Sequence, residues 1–280
     1  MRHSGALWIA TLLNVNNLTR LSCRFILVTL FGLTLFACDN VDQHETKTVL
    51  NVALPSFGPE LLDPSMDAKS GLQYHGHMFD HLLGDNSEGH LGALDNWEVD
   101  SSATTYTLTL RQGMKWHDGV DVTSKDIAFM MTYYSRDSAQ CGGCTTVREA
   151  VSEVEVVDSY TVKIHLNRSD VIFMNNFNSV DGDMPILPGH YLSKVGDTGF
   201  GEKPIGSGPW KFLDRSMNEF IEYEANKEYW NAERVPGFDR LRLIKVEDAG
   251  KRVAMLRSGE VDMAMLRPAG EAFSMEVLQE

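Results

Sequence analysis

Pro204-Ile205-Gly206-Ser207-Gly208-Pro209-Trp210-Lys211-Phe212 opens the stretch, residues 204–264, whose reading decides the fold. Two glycines and a proline force a tight, rigid turn. Trp210, Phe212, Phe220, Ile221 and Tyr223 then give two short β-type runs broken at Ser216-Met217-Asn218, which predicts a hairpin. Ala225-Asn226-Lys227-Glu228-Tyr229-Trp230-Asn231 is a polar turn carrying two large aromatics. Leu241 and Leu243 alternate with Arg242 and Ile244, a strand buried on at least one face. Asp248 is the expected N-cap of a helix over 249–258, and Gly259 can adopt the left-handed conformation that stops it. Val261-Asp262-Met263-Ala264 reads as a short closing strand.

This order of parts resembles the family 5 extracellular solute-binding proteins, the oligopeptide, dipeptide and nickel receptors of bacterial ABC importers. The resemblance is carried by Pro204-Ile205-Gly206-Ser207-Gly208-Pro209-Trp210, by Glu224-Ala225-Asn226 with Tyr229-Trp230, and by Arg252-Val253-Ala254-Met255-Leu256-Arg257-Ser258-Gly259-Glu260-Val261-Asp262. A second block runs from Trp97-Glu98-Val99 through Tyr106-Thr107-Leu108-Thr109-Leu110 and Trp116-His117-Asp118-Gly119 to Asp126-Ile127. Leu62-Asp63-Pro64 forms a third, where the family's first strand ends. The three blocks keep a consistent order over most of the chain after Val49.

Working outward, the 280-residue length suffices for two compact units. The formal net charge of -14 argues against a nucleic-acid partner, because phosphate binding needs a basic face. The first forty residues read as an address. Arg20 and Arg24 precede an apolar run over 25–36 of signal-peptide length, too short to span a bilayer comfortably. Leu35-Phe36-Ala37-Cys38 resembles a lipobox, which makes Cys38 the candidate lipid-attachment residue; a plain signal peptide cut nearby is the alternative. Asp39 after the cysteine fits retention in the inner membrane. Residues 41–47 are polar and read as a tether.

Leu50, Val52 and Leu54 alternate with Asn51 and Ala53 in the expected first strand. The loop after a first strand faces the cleft in such architectures, so Ser56 and Phe57 are candidate substrate-binding residues, and Tyr74 is named with them. A turn serine and a core phenylalanine are the plainer alternative. A helix is expected over 72–83; it would set His77 and His81 on one face, a spacing that can bind zinc or nickel. No cysteine or carboxylate completes a metal signature, so no metal and no cofactor is expected. His117 beside Asp118 could suggest acid–base chemistry, but no nucleophile accompanies them, and a scaffold role is expected. Thr123 or Ser124 should cap the next helix.

Cys141-Gly142-Gly143-Cys144 is a Cys-x-x-Cys pair in a Gly-rich, exposed-looking loop. Such a pair can be a redox site or half a zinc site, but no second pair exists to complete a zinc tetrahedron. With Cys23 in the leader and Cys38 at the lipobox, a structural disulfide between Cys141 and Cys144 is expected; thiol–disulfide exchange is the rival. Residues 154–166 read as strand, turn, strand. Gly206-Ser207-Gly208 fails as a nucleophile elbow, which needs glycines two residues either side of the serine. No catalytic set emerges.

The resemblance implies an α/β, periplasmic binding protein type II-like fold with mixed sheets and flanking helices. It implies the first lobe with its inserted subdomain, the second lobe being largely absent. The corresponding division is 1–38 signal peptide with lipobox, 39–48 tether, 49–72 and 178–268 first-lobe core, 73–177 inserted subdomain, and 269–280 the start of the second lobe. It implies a periplasmic receptor, not an enzyme, lipid-anchored to the inner membrane. Its ligand would be a peptide or other small molecule, and its partners the ABC permease subunits. A nickel or haem receptor is the alternative within the family. The family's acidic grip on a peptide N-terminus matches no residue here.

Overall fold

The computed structural model describes residues 48–67, 71–84, 92–180 and 183–266. Cys38, the expected leader, the expected tether up to Lys47 and the segment 269–280 lie outside the described residues. The elements run β1 (Val49–Leu54), α1 (Leu72–Met78), β2 (Leu94–Val99), β3 (Thr105–Leu110), α2 (Ser124–Tyr134), α3 (Cys144–Ala150), β4 (Val151–Val156) and β5 (Thr161–Leu166). They continue through α4 (Gly189–Glu202), β6 (Trp210–Ser216), β7 (Phe220–Ala225), β8 (Arg240–Lys245), α5 (Ala249–Ser258) and β9 (Met263–Ala264).

Among the described residues two sheets form: five strands in the order β6-β7-β8-β1-β9, and four in the order β2-β3-β5-β4. In the first, β6 and β7 form the expected hairpin, with Phe212 opposite Tyr223. Its turn places Asn218 at φ 63, a left-handed conformation that asparagine tolerates. Tyr223 faces Leu241 across the antiparallel β7–β8 pair, and Leu241 faces Leu50 across the parallel β8–β1 pair. Tyr223, Leu241 and Leu50 thus make one apolar row, and Ile221, Leu243 and Val52 a second on the same face. Strand β7 separates Trp210 and Phe212 from Leu241 and Leu243. The opposite face carries Ala53, which packs with Val246, Met255 and Val261 under α5. The Asp248 carboxylate accepts from Lys251 N–H at the start of α5, and Gly259, at φ 75, ends it. Helix α5 links β8 to β9, both parallel to β1, as a crossover must.

The second sheet is antiparallel. Tyr106, Leu108 and Leu110 alternate inward, as do Val162, Ile164 and Leu166 on the neighbouring strand. Helix α2 covers that face through Ile127, Met130 and Met131. Its N-terminus is a capping box: Thr123 and Asp126 satisfy each other's backbone N–H groups. One apolar core runs continuously from this sheet to the inner face of the first. The chain is therefore a mixed α/β protein with helices flanking both sheets. Helix α1, expected with the insert, packs instead on the five-stranded sheet: the Tyr223 hydroxyl donates to Tyr74 O, and His77 stacks edge-on against the same ring.

Candidate functional site

The sequence blocks meet in space. Gly208 N–H donates to Met78 O at 2.8 Å. A Cβ on Gly206 would lie 2.0 Å from that same oxygen, and one on Gly208 2.6 Å from the Met78 carbonyl carbon, so both glycines are dictated by close approach. His117 clamps the turn from the other side. Its Nδ1 accepts from Gly206 N–H at 3.1 Å, so its Nε2, 3.0 Å from Gly208 O, carries the proton and donates. Burial pushes its pKa down to about 4, and the nearby Lys211 adds to the shift, so the ring works as a neutral imidazole. Asn226 donates from Nδ2 to Gly208 O and from its backbone to Pro209 O.

Asp80 is the second clamp. Its carboxylate accepts from the Ser207 hydroxyl at 2.9 Å, the Tyr229 hydroxyl at 2.6 Å and Trp230 Nε1 at 3.1 Å. Burial raises its pKa against the pull of those three donors. Because Asp80 must turn inward, α1 stops at Met78 rather than at Leu83, and Phe79 is already extended. His81 lies beyond the helix, so the expected His77–His81 face does not form. His75 spends its Nε2 on Leu61 O. No group of three His, Cys, Asp or Glu side chains able to hold a metal ion occurs among the described residues. Asp118 turns away from His117 to pair with His190 at 2.8 Å. The signature residues thus lock the turn, α1 and the second sheet together rather than present chemistry.

The open region lies at the carboxyl ends of the parallel strands, where open α/β sheets take ligands. There the loop over 55–67 leaves β1, and the β6–β7 turn approaches it. The two are tied twice: Asn218 N–H donates to Glu60 Oε2 at 2.8 Å, and Arg215 donates to Glu60 O at 3.1 Å. Between this loop, the β6–β7 turn and α4 is a cavity of about 340 Å³, whose walls include Glu60, Leu62, Met66, Asp197, Arg215 and Met217. Behind it, the Tyr133 hydroxyl, with one proton to share, lies 2.8 Å from an Asp63 oxygen and 3.0 Å from an Asp197 oxygen, while Arg136 pairs with Asp197 and reaches Ser65 Oγ. Burial raises the Asp63 pKa, and the Tyr133 and Ser65 donors oppose the shift. Arg252, fully buried, donates to Val246 O, Glu247 O and Met265 O, fixing the ends of β8 and β9 to each other. Leu61 is 40% exposed and Met217 55% exposed, so apolar surface sits at this edge of an otherwise acidic chain.

Of the residues expected to touch substrate, Ser56 is half-buried; its hydroxyl accepts from Gly58 N–H and its carbonyl from Gln73. Phe57 and Tyr74 are buried, packed edge to face. The Tyr74 hydroxyl donates to the Asp67 carboxylate and lies 3.3 Å from Leu61 O. Both rings therefore support the loop from beneath rather than line its open side. Glu60, Arg215 and Met217 carry no signal in the sequence, where they look like ordinary surface residues. The Cys141–Cys144 pair is disulfide-bonded. It is 5% and 1% exposed rather than exposed, and Cys144 begins α3, which the Gly-Gly spacing conceals. Gln140 and Cys141 N–H groups both donate to Ser65 O, and Asp183 accepts from Gly142 and Gly143, so this loop braces the cavity's back wall.

A mixed parallel sheet carrying an inserted antiparallel sheet, with an open carboxyl edge, is the architecture of a periplasmic-type binding protein. The chain belongs to the family of bacterial extracellular solute-binding proteins, family 5: the model described as "Bacterial extracellular solute-binding proteins, family 5 Middle" matches residues 90–278. The chain is 26% identical over 254 residues to the periplasmic oligopeptide-binding protein OppA of Haemophilus influenzae, covering 84% of this chain and 46% of that protein. It is 32% identical over 164 residues to the oligopeptide-binding protein AppA of Bacillus subtilis, covering 56% and 29%. Among solved structures, MoaA of A. tumefaciens R10 in complex with mannopinic acid superposes with a TM-score of 0.70 at 22% identity, covering 79% of this chain and 45% of that one. The chain thus spans less than half the length of these proteins.

Proposed function

We propose that this chain is the ligand-binding receptor of an ABC importer, that its ligand is a peptide, and that it delivers the ligand to an inner-membrane permease. The observation that carries the reading is the open carboxyl edge, where the loop over 55–67 and the β6–β7 turn present apolar side chains beside a largely apolar cavity rimmed by Asp197 and Arg215. Such an edge supplies one wall of a cleft that closes by hinge motion. An extended peptide would be held mainly by backbone hydrogen bonds, with loose side-chain pockets. The names of two oligopeptide-binding relatives support peptide over other solutes. Within the chain, 49–72 and 178–268 would be the core of the first lobe and 73–177 its insert, with α1 shared.

Cys38 would carry the lipid, anchoring the receptor in the periplasm at the inner membrane. Mass spectrometry of the mature N-terminus tests this: a start at a lipid-modified Cys38 is expected, and an unmodified Cys38 or another start overturns it. The thiol-exchange reading is weakened by burial of both sulfurs, since exchange needs an accessible thiolate. Calorimetry with dipeptides and tetrapeptides, against Ni²⁺ and haem, tests the ligand class. Saturable peptide binding is expected; binding of only the metal or haem would replace this reading with a metal or haem receptor.

A further inference from the structure

Trp97-Glu98-Val99 stands out in the sequence, yet the candidate site uses none of the three. They lie on β2, which pairs only with β3 and so forms one edge of the four-stranded sheet among the described residues. Asp100 N–H donates to Thr105 O at 3.0 Å. Bonding alternates along an antiparallel pair, and Glu98 opposes Thr107, so Glu98 and Asp100 turn their backbone groups inward to β3. The backbone N–H and C=O groups of Trp97 and Val99 therefore point off the sheet. Their side chains lie on its apolar face, opposite Leu108 and Tyr106, yet remain 39% and 42% exposed. The Trp97 ring stacks on Tyr106, whose hydroxyl donates to Asp170 O. Val171 and Ile172 come next in the chain and are 77% and 65% exposed. An open strand edge thus borders an apolar patch, and such an edge is a template for another strand.

We propose that the β2 edge is a docking site for an extended segment of a partner protein in which apolar and basic residues alternate. Residues directly opposite one another across a strand pair share a face of the sheet. Partner side chains opposite Trp97 and Val99 enter the apolar patch, and the one opposite Glu98 stands beside its exposed carboxylate. Backbone hydrogen bonds supply the affinity and the alternation the specificity, as in strand addition. Charge selects the partner. Glu98 is an exposed acid on the strand's polar face, and Asp100 at its end spends its carboxylate on neutral donors, the Ser102 hydroxyl and Thr104 N–H. At the opposite edge of the sheet, by contrast, Lys163 already lies 3.9 Å from Glu155 on β4. A second copy of the chain would bring Asp95, Glu98 and Asp100 against the same acids, so the strand's own charges disfavour self-pairing. A strand carrying lysine or arginine turns those charges into cross-strand attraction.

The test is an NMR titration of the full chain with two capped peptides, acetyl-Lys-Val-Lys-Val-Lys-Val-Lys-amide and its counterpart with glutamate in place of lysine. The lysine peptide is expected to shift the Trp97 and Val99 amides saturably and to slow their hydrogen exchange, and the glutamate peptide to do neither. Glu98→Lys, at an exposed position, should weaken the lysine peptide by about tenfold and admit the glutamate peptide, because it turns an attractive cross-strand pair into a repulsive one. Val99→Pro removes an outward N–H at an edge position, where proline is tolerated, and should abolish binding of both peptides. Glu98→Lys decides the matter if Val99→Pro does not fold. Equal binding of the two peptides to the native chain, no saturable shift at Trp97 and Val99, or undiminished binding by folded Val99→Pro overturns the proposal. Shifts confined to the loop over 55–67 and Met217 put the peptide in the ligand cleft and overturn it as well. So does protection of the Trp97 and Val99 amides before any peptide is added. Protection that grows with protein concentration makes the occupant a second copy, and protection independent of concentration makes it a segment of the chain itself.

Discussion

At the scale of the residue, His117 shows how much chemistry a signature position can carry without being catalytic. It accepts at Nδ1 and donates at Nε2 to two backbone groups two residues apart, which fixes both tautomer and neutrality. Removing it in His117→Ala would orphan Gly206 N–H and leave Gly208 O with Asn226 alone. The expected loss is about 1–3 kcal/mol, the cost of unpaired buried polar groups, measured by urea denaturation. A change under about 0.5 kcal/mol, the range of ordinary surface substitutions, would mean water replaces the ring at no cost. Trp210 is expected to cost more. It is 9% exposed at the first position of β6, and Trp210→Ala should lose about 3–5 kcal/mol. The aromatic positions are legible because strand alternation marks them. Glu60 is not, because a left-handed glutamate tied to a hairpin 158 residues away leaves no local pattern.

At the scale of the element, legibility follows local signals. The N-cap of α5, its glycine stop and the capping box of α2 are readable because short-range hydrogen bonds make them. Segment α4 gives no such signal: it has four glycines in fourteen residues, and at Gly196 (φ 70, ψ 175) the backbone leaves the helix, so two short helices meet at a kink and packing on α2 holds the segment. Helix α1 is shorter than its sequence pattern because its stop comes from Gly208 N–H and buried Asp80, the first of them distant in sequence. That stop makes the turn's glycines and a helical glycine respond oppositely. Gly208→Ala should destabilise the protein, since its Cβ would sit against Met78 backbone. Gly76→Ala, where a Cβ meets nothing within 4 Å inside a helix, should stabilise by about 0.5–1 kcal/mol. Thermal melts of the two variants check this, and equal shifts would refute the close approach. The disulfide closes so short a loop that a Cys141→Ser, Cys144→Ser double variant should lose only about 2 kcal/mol. Mild reductant should leave the native pair intact, and rapid alkylation after brief reduction would show that the buried sulfurs are reached.

At the scale of the whole molecule, two electrostatic effects pull stability in opposite directions as pH falls. The chain carries a formal charge of -14, and with a pI near 5.0 its self-repulsion eases on acidification, which favours the folded state. Four histidines, His75 and His81 buried and His77 and His117 half-buried, oppose this. Burial lowers the pKa values of His75, His77, His81 and His117 to about 4, from an ordinary value of 6.5. Between those values the unfolded chain binds protons that the folded chain refuses, so stability falls as pH drops from 6.5 toward 4. Every tenfold loss of proton affinity on folding is worth about 1.4 kcal/mol per histidine. Burial raises Asp63, Asp80 and Asp126 above 3.8, and these act with the opposite sign, softening the loss toward the acid end. Four histidines held neutral in this way outweigh diffuse repulsion between charges that salt already screens. The midpoint of urea denaturation is therefore expected to be constant from pH 8 to 7 and to fall steadily between pH 6.5 and 4.5, with a shallower fall in a folded His117→Gln variant. A midpoint that rises on acidification would mean that charge repulsion dominates and that these rings are not held neutral by the fold.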